Sequence, residues 1–79
     1  MSMHVKVLGP GCRNCTTLEA HVKEAVHQLG IEAEIEKVTD YGAIVAHGIM
    51  RTPGLIVNGE IKSSGRVPDV DEVKGFLRG

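Results

Sequence analysis

The chain has 79 residues, a length that suits one small domain and excludes an enzyme with a separate cofactor-binding domain. Hydrophobic residues make up 42% and charged residues 24%, a balance typical of a folded globular chain. Nine basic residues against ten acidic ones give a formal net charge of -1, without any basic tract. We therefore expect a single domain over residues 1–79 and no nucleic-acid partner.

The sequence also shows no sign of a membrane segment. No stretch approaches the roughly 20 apolar residues that cross a bilayer, so we expect no membrane partner. The first residues lack the charged and apolar regions of a secretory signal, which makes the cytoplasm the expected location.

The first third of the chain predicts a strand followed by a helix. The Val-containing segment Met3–Leu8 ends at Gly9-Pro10-Gly11, as a strand does when it enters a tight turn. From residue 12 to residue 29, apolar side chains recur at the spacing of an amphipathic helix, and Gly30 follows as a helix stop.

The middle of the chain predicts a second strand and a short helix. Over residues 31–36, isoleucine and alanine alternate with glutamate, which indicates a strand with one solvated face at a sheet edge. Strand, helix and strand in this order imply a parallel pair with a right-handed crossover. Thr39 or Asp40 is placed to cap a short helix that ends at Ala46 or His47.

The last third predicts a hairpin and a final helix. Residues 55–57 are apolar on both faces, as in an inner strand, and Asn58-Gly59 after them is a strong hairpin signal leading to an outer strand over residues 60–64. Asp69 and Glu72 resemble a capping box at the start of a helix that ends near Leu77. The predicted order is βαβαββα, an α/β fold.

The two cysteines stand as Cys12-Arg13-Asn14-Cys15, between the first predicted strand and the first turn of the helix. Residues three apart share a helix face, so their sulfur atoms can reach disulfide distance and close a very small ring. Such a ring constrains little of the unfolded chain, and a disulfide there stabilises the fold weakly. The pattern therefore favours reversible thiol–disulfide exchange over a structural crosslink.

The start of the helix favours an anionic sulfur at Cys12. Free backbone N–H groups and the positive end of the helix dipole stabilise a thiolate, and Arg13 adds a cation. Such surroundings lower a cysteine pKa from about 8.5 to roughly 3.5–7.5. We expect Cys12 to be the nucleophile and Cys15 to resolve the mixed disulfide. Arg13 and Asn14 would tune the redox poise, and Gly11 would support the turn.

Three other readings compete with exchange. A zinc site needs four N or S ligands, and the histidines show no paired spacing, so we assign no metal ligand. Two thiolates before a helix also suit Cu(I) or another soft metal, in a ferredoxin-like βαββαβ module. Such a module lacks the short middle helix and ends in a strand. The third reading is a non-catalytic redox sensor whose disulfide alters partner binding.

Thr52-Pro53 is the second notable feature. A proline that opens an inner strand need not donate a ladder hydrogen bond, and it can adopt the cis isomer. The bond before an isolated proline is usually trans. Because this proline follows a cysteine pair elsewhere in the chain, we expect the Thr52–Pro53 bond to be cis instead.

These features together resemble the thioredoxin/glutaredoxin superfamily, and more narrowly its small "redox-active disulfide protein 2" thioredoxin-like group. The resemblance implies a four-stranded mixed sheet with helices on both faces. It runs from about Met3 to Leu77 and is carried by Val7-Leu8-Gly9, Gly11-Cys12-Arg13-Asn14-Cys15, Leu29-Gly30-Ile31, Glu36-Lys37-Val38-Thr39-Asp40, Thr52-Pro53-Gly54-Leu55 and Ser64-Gly65-Arg66-Val67-Pro68.

The resemblance also implies a function. It implies a thiol–disulfide oxidoreductase without a cofactor, in which Cys12 and Cys15 carry the exchange and Pro53 is cis beside them. The backbone of Thr52 would pair with an extended substrate segment. The implied partners are a disulfide-containing protein or small thiol and a thioredoxin-reductase-like electron donor, and we expect a monomer.

The chain departs from the thioredoxin pattern ahead of Cys12. Typical thioredoxins have a Trp just before the first cysteine of the pair, whereas this chain has Gly9-Pro10-Gly11 there. Lys6 stands six positions before Cys12, where thioredoxins carry a buried acid. We expect Lys6 either to point to solvent or to lower the pKa of a cysteine.

Overall fold

The computed structural model describes residues 3–11 and 13–78, and it has the predicted order of strands and helices. No helix in these two ranges has both the length and the apolar character needed to cross a membrane. The elements are β1 (Met3–Leu8), α1 (Arg13–Leu29), β2 (Ala33–Val38), α2 (Tyr41–Ala46), β3 (Gly54–Val57), β4 (Glu60–Ser64) and α3 (Val70–Leu77).

The strands form one mixed sheet in the order β2-β1-β3-β4. β1 pairs in parallel with β2 and antiparallel with β3, and β3 pairs antiparallel with β4. β2 is an edge strand, as its alternation predicted, and every residue of the inner strand β3 is buried. β1 therefore lies in the interior of the sheet, and its carboxyl end leads directly into the turn before α1.

The bounds of β2 differ from those that the glutamate alternation suggested. The strand covers residues 33–38 rather than 31–36, because it is matched residue by residue to β1, from Met3↔Ala33 to Leu8↔Val38. One hydrogen bond flanks each end of this pairing, from the Met3 amide to the Glu32 carbonyl at 3.0 Å and from the Gly9 amide to the Val38 carbonyl at 2.8 Å. The partner strand, which local sequence does not reveal, sets the bounds.

Helices lie on both faces of the sheet, as the resemblance implied. On one face α1 and α3 bury Val5, Val7, Leu55 and Val57 of the sheet together with Leu18, Val22, Ala25, Val73 and Leu77 of the helices. On the opposite face α2 and the segment after it bury a smaller cluster, Leu8, Val38, Ile44, Ile49 and Ile56. Because α2 has only six residues, it covers this second face incompletely.

Aspartates cap both of the shorter helices. Asp40 accepts a hydrogen bond from the Ala43 amide at 2.9 Å, and Asp69 accepts one from the Glu72 amide at 2.8 Å. The carboxylate of Glu72 pairs with Arg66 at 2.9 Å rather than with the amide of Asp69. Only one half of the predicted capping box is therefore formed.

Candidate redox site

The carboxyl end of β1 and the amino end of α1 meet where the sequence predicts the cysteine pair. Cys12 lies outside the described residues, so its role as nucleophile stays a prediction. Cys15, in the first turn of α1, is only 5% exposed and is disulfide-bonded. The predicted resolving cysteine is thus oxidised and buried at the junction of β1 and α1.

Gly9 lies directly against Cys15. A Cβ atom built on Gly9 would overlap Cys15 Sγ, and it would lie 3.1 Å from Cys15 Cβ and 3.9 Å from Pro53 Cα. Carbon atoms in contact normally stand about 3.5–4.0 Å apart, so a side chain at this position would displace Cys15. The missing side chain of Gly9 lets the end of β1, the cysteine and the proline lie together.

Sequence reasoning missed this role of Gly9. It interpreted the residue only as part of a turn, together with Gly11. Gly11 does have a turn conformation, with φ +90°, and a Cβ atom there would meet nothing within 4 Å. The two glycines are thus required for different reasons, conformation at Gly11 and space at Gly9.

The Thr52–Pro53 peptide bond is cis, and Pro53 is buried close to Gly9. The carbonyl of Pro53 accepts a hydrogen bond from the Gly65 amide at 3.0 Å, which fixes the loop where it enters β3. Thr52 is partly buried, and within the described ranges neither its N–H nor its carbonyl has a hydrogen-bond partner. The loop therefore presents an unpaired backbone unit near the cysteine.

The first residues of α1 face solvent. Arg13 and Asn14 are exposed, and the Thr17 hydroxyl donates to the Arg13 carbonyl at 3.0 Å. The first turn of α1 contains no acidic residue. No carboxylate of that turn therefore offsets the positive end of the helix dipole.

Three large apolar side chains are exposed, one in the loop before Pro53 and two on α2. Met50 lies three residues before Pro53 and is 86% exposed. Tyr41, at the start of α2, is 63% exposed, and Val45 lies one turn further along the same helix face at 60%. Tyr41 and Val45 thus form a small exposed apolar stripe on α2.

Glu19 ties α1 to the edge of the sheet. Its carboxylate pairs with Lys23 at 3.2 Å and with Lys37 of β2 at 3.3 Å, and its side chain is 15% exposed. Burial acts to raise the pKa of Glu19, but the hydrogen bonds and charges of the two lysines outweigh burial and lower that pKa below its usual value. Glu19 therefore stays ionised and holds the helix to β2.

The observed order of elements overturns the ferredoxin-like alternative. α2 is present between β2 and β3, and the last described element is the helix α3 rather than a strand. Across residues 3–11 and 13–78, no group of three or more His, Cys, Asp or Glu side chains is arranged to hold a metal ion.

Comparisons with known proteins agree with this arrangement. A family described as "Thioredoxin domain" matches residues 3–78. A protein named "Thioredoxin" from Methanothermobacter thermautotrophicus is 44% identical over 75 residues, which cover 95% of this chain and 97% of that relative. A second protein named "Thioredoxin", from Methanocaldococcus jannaschii, is 40% identical over 74 residues, which cover 94% of this chain and 85% of that relative.

A solved structure shows the same fold at low sequence identity. It is described as "Structural insights into thioredoxin-2: a component of malaria parasite protein secretion machinery", and it superposes with a TM-score of 0.74 at 12% identity. The match covers 98% of this chain and 82% of that one. The mixed sheet and its helices are thus a thioredoxin-like α/β fold. With both relatives named as thioredoxins, the chain belongs to the thioredoxin domain family and has a thiol–disulfide oxidoreductase kind of function.

Proposed function

We propose that the protein reduces disulfides in proteins or small molecules by exchange at Cys12 and Cys15. The observation that carries the proposal is Cys15, which is buried and disulfide-bonded with its sulfur against Gly9 and near the cis Thr52–Pro53 bond. A disulfide that closes a ring between residues three apart adds little stability. Reversible chemistry is the better explanation for such a bond.

The exchange begins with the reduced protein. The Cys12 thiolate attacks one sulfur of the substrate disulfide, and the other substrate sulfur leaves as a thiolate and takes up a proton. The Cys15 thiol then loses its proton and attacks the Cys12 sulfur, which closes the Cys12–Cys15 disulfide and releases the second substrate thiol. Two electrons pass from protein to substrate. Cys15 gives up one of the two protons that the substrate thiols gain, and solvent supplies the other, because Cys12 reacts as a thiolate.

The surroundings support this division of roles. At the start of α1 the helix dipole, the exposed Arg13 and the lack of an acidic residue in the first turn favour an anionic sulfur at Cys12. Cys15, at 5% exposure, is too enclosed for a protein substrate to reach first. It acts once the mixed disulfide has formed next to it.

The loop before β3 supports an extended peptide as substrate. A bound peptide strand would satisfy the N–H and carbonyl of Thr52, with Pro53 below it. The exposed and flexible Met50 side chain offers an adaptable apolar contact for the residues around the substrate cysteine. A thioredoxin-reductase-like protein in a reducing compartment such as the cytoplasm would return the dithiol.

The test is turnover of a peptide disulfide, with glutathione or a thioredoxin reductase as electron donor. We expect the wild-type protein to cycle, Cys12→Ser to lose turnover without forming an adduct, and Cys15→Ser to lose turnover while trapping a mixed disulfide visible by mass spectrometry. Ser64→Ala, an exposed change on β4, is the matched control and should keep full turnover.

Three results would contradict the proposal. The first is a wild-type protein that never cycles with either donor, and the second is a Cys12→Ser variant that still turns over. The third is stoichiometric Cu(I) uptake without turnover, which would show that the cysteine pair binds a soft metal instead of exchanging disulfides. A redox sensor would instead show partner binding that differs between oxidised and reduced protein in the absence of turnover.

A further inference from the structure

The sheet face that α2 covers incompletely contains an open pocket of about 250 Å³. β1, β3, the end of α2 and the β3–β4 turn all contribute to its walls. The lining residues are His4, Lys6, His47, Ile56, Asn58 and Gly59.

The pocket is separate from the redox site. Lys6 and His4 precede Gly9 by three and five residues on an extended strand, which corresponds to about 10 and about 16 Å. Asn58 is anchored at the amino end of β1, where its amide donates to the His4 carbonyl at 2.8 Å. The pocket therefore lies towards the opposite end of β1 from Cys15.

Three side-chain hydrogen-bond donors line this pocket, and none of them has a hydrogen-bond partner in the described part of the chain. They are the Lys6 ammonium, the His47 ring and the side-chain amide of Asn58. The Asn58 Oδ1 atom accepts from the His4 amide at 3.0 Å, which leaves the Nδ2 group as a donor. Lys6 is partly buried, so its unpaired charge is an energetic cost that a bound anion would offset.

The nearest carboxylates do not cancel this donor set. Glu36 pairs with His4 at 3.1 Å and lies opposite Lys6 in the strand register, and Glu34 lies opposite His4. Both glutamates are exposed, and Glu36 contacts the His4 ring rather than Lys6. Lys6 remains the unpaired cation of the pocket.

We propose that this pocket binds a small oxyanion of the phosphate type. The ammonium, imidazole and amide groups come from three separate segments of the chain, and separate donors of this kind suit a tetrahedral anion. Planar bidentate recognition of a carboxylate is instead typical of arginine. The volume lies just below the roughly 300–1,000 Å³ of small-molecule pockets, so a phosphate group with little attached fills it. Ile56, at 4% exposure, supplies one apolar wall.

The test is a titration with inorganic phosphate at constant ionic strength, followed by backbone amide NMR shifts. We expect saturable shifts at His4, Lys6 and Asn58 and none at Cys15. Lys6→Met should lower the affinity at least tenfold. Lys23→Met, which removes the same charge from a helix on the opposite face, should leave the affinity unchanged.

A second variant guards against a folding defect in Lys6→Met. His47 is exposed just beyond α2, so His47→Gln should fold normally and still weaken phosphate binding severalfold. Linear shifts spread over the surface, or equal losses in Lys6→Met and Lys23→Met, would overturn the proposal. Acetate binding as tightly as phosphate would also overturn it.

Methyl phosphate distinguishes the two sources of the anion. Tighter binding of methyl phosphate than of inorganic phosphate indicates that the group arrives on a larger molecule, and the reverse order indicates the free ion. Both orders support the site. These binding measurements do not depend on whether the protein catalyses disulfide exchange at Cys12 and Cys15. The phosphate-site proposal and the proposed redox function can therefore fail separately.

Discussion

Replacing Gly9 with alanine tests the packing on which the redox site depends. The new methyl group would overlap Cys15 Sγ and lie 3.1 Å from Cys15 Cβ, which is closer than the roughly 3.5–4.0 Å of ordinary carbon contacts. Rotating the sulfur away relieves only the first contact, because the Cβ atom is fixed to the helix backbone. Overpacking of this kind typically costs about 1–3 kcal/mol.

The cost should be larger in the oxidised protein than in the reduced one. A disulfide fixes the position of the Cys15 sulfur, whereas a free thiol can rotate away from the new methyl group. Destabilising the oxidised form favours reduction, so the redox potential should rise by about 30 mV for each 1.4 kcal/mol of difference. In a domain of this size, each 1 kcal/mol lowers Tm by about 4–8 °C.

The measurements are thermal unfolding of both redox forms and equilibration of the disulfide with glutathione. Gly75→Ala is the matched control, since Gly75 is exposed in α3 and a Cβ atom there meets nothing within 4 Å. It should stabilise the protein by about 0.5–1 kcal/mol, the usual gain for glycine to alanine inside a helix. A Gly9→Ala variant with wild-type Tm and potential would refute the steric account of Gly9.

Two further predictions concern stability. Asp69→Ala removes the bond to the Glu72 amide and should cost about 1 kcal/mol in urea unfolding, whereas an unchanged midpoint would show that the cap contributes nothing. Glu19→Gln should cost about 0.5–1 kcal/mol at pH 7, because Lys23 and Lys37 lose their shared partner. Folding lowers the pKa of Glu19. The difference in unfolding free energy between the wild type and Glu19→Gln is therefore complete above the pKa of the unfolded state, and it disappears as the pH falls through the pKa of the folded state. The measurement is unfolding at a series of pH values. A stability difference between the two proteins that stays constant as the pH falls through the folded-state pKa would contradict the ionic role of Glu19.

Features that depend on local chemistry were predictable from the sequence. The Asn58-Gly59 pair signalled a hairpin because both residues must adopt positive φ, and the structure has +50° and +86° at these positions. The sequence offers Thr39 or Asp40 as the cap of α2, and the carboxylate of Asp40 forms it. The edge position of β2 followed from its one solvated face. Such signals lie within a few residues of the element that they define.

Features that depend on packing were not predictable. Gly9 and Gly11 look alike in a Gly-Pro-Gly turn, and only the approach of Cys15 from another element shows that Gly9 is needed for space. The bounds of β2 lie two residues later than the alternation over residues 31–36 suggests, because the pairing with β1 sets them. Lys6 stands at the position of the buried acid of thioredoxins, yet it lines a pocket on the sheet face that the six-residue α2 covers.

β1 connects the two sites, and its position in the sheet determines whether they communicate. Gly9 follows one end of the strand and His4 lies near the other, and the strand between them is paired on both sides, with β2 and with β3. Coupling between two sites requires an element with two arrangements that both ligands bias. A strand fixed on both sides is poorly suited to this. We therefore expect the redox potential to be the same with and without saturating phosphate. A shift larger than about 10 mV corresponds to about 0.5 kcal/mol of coupling between the two sites. Such a shift would show that β1 transmits a change between them.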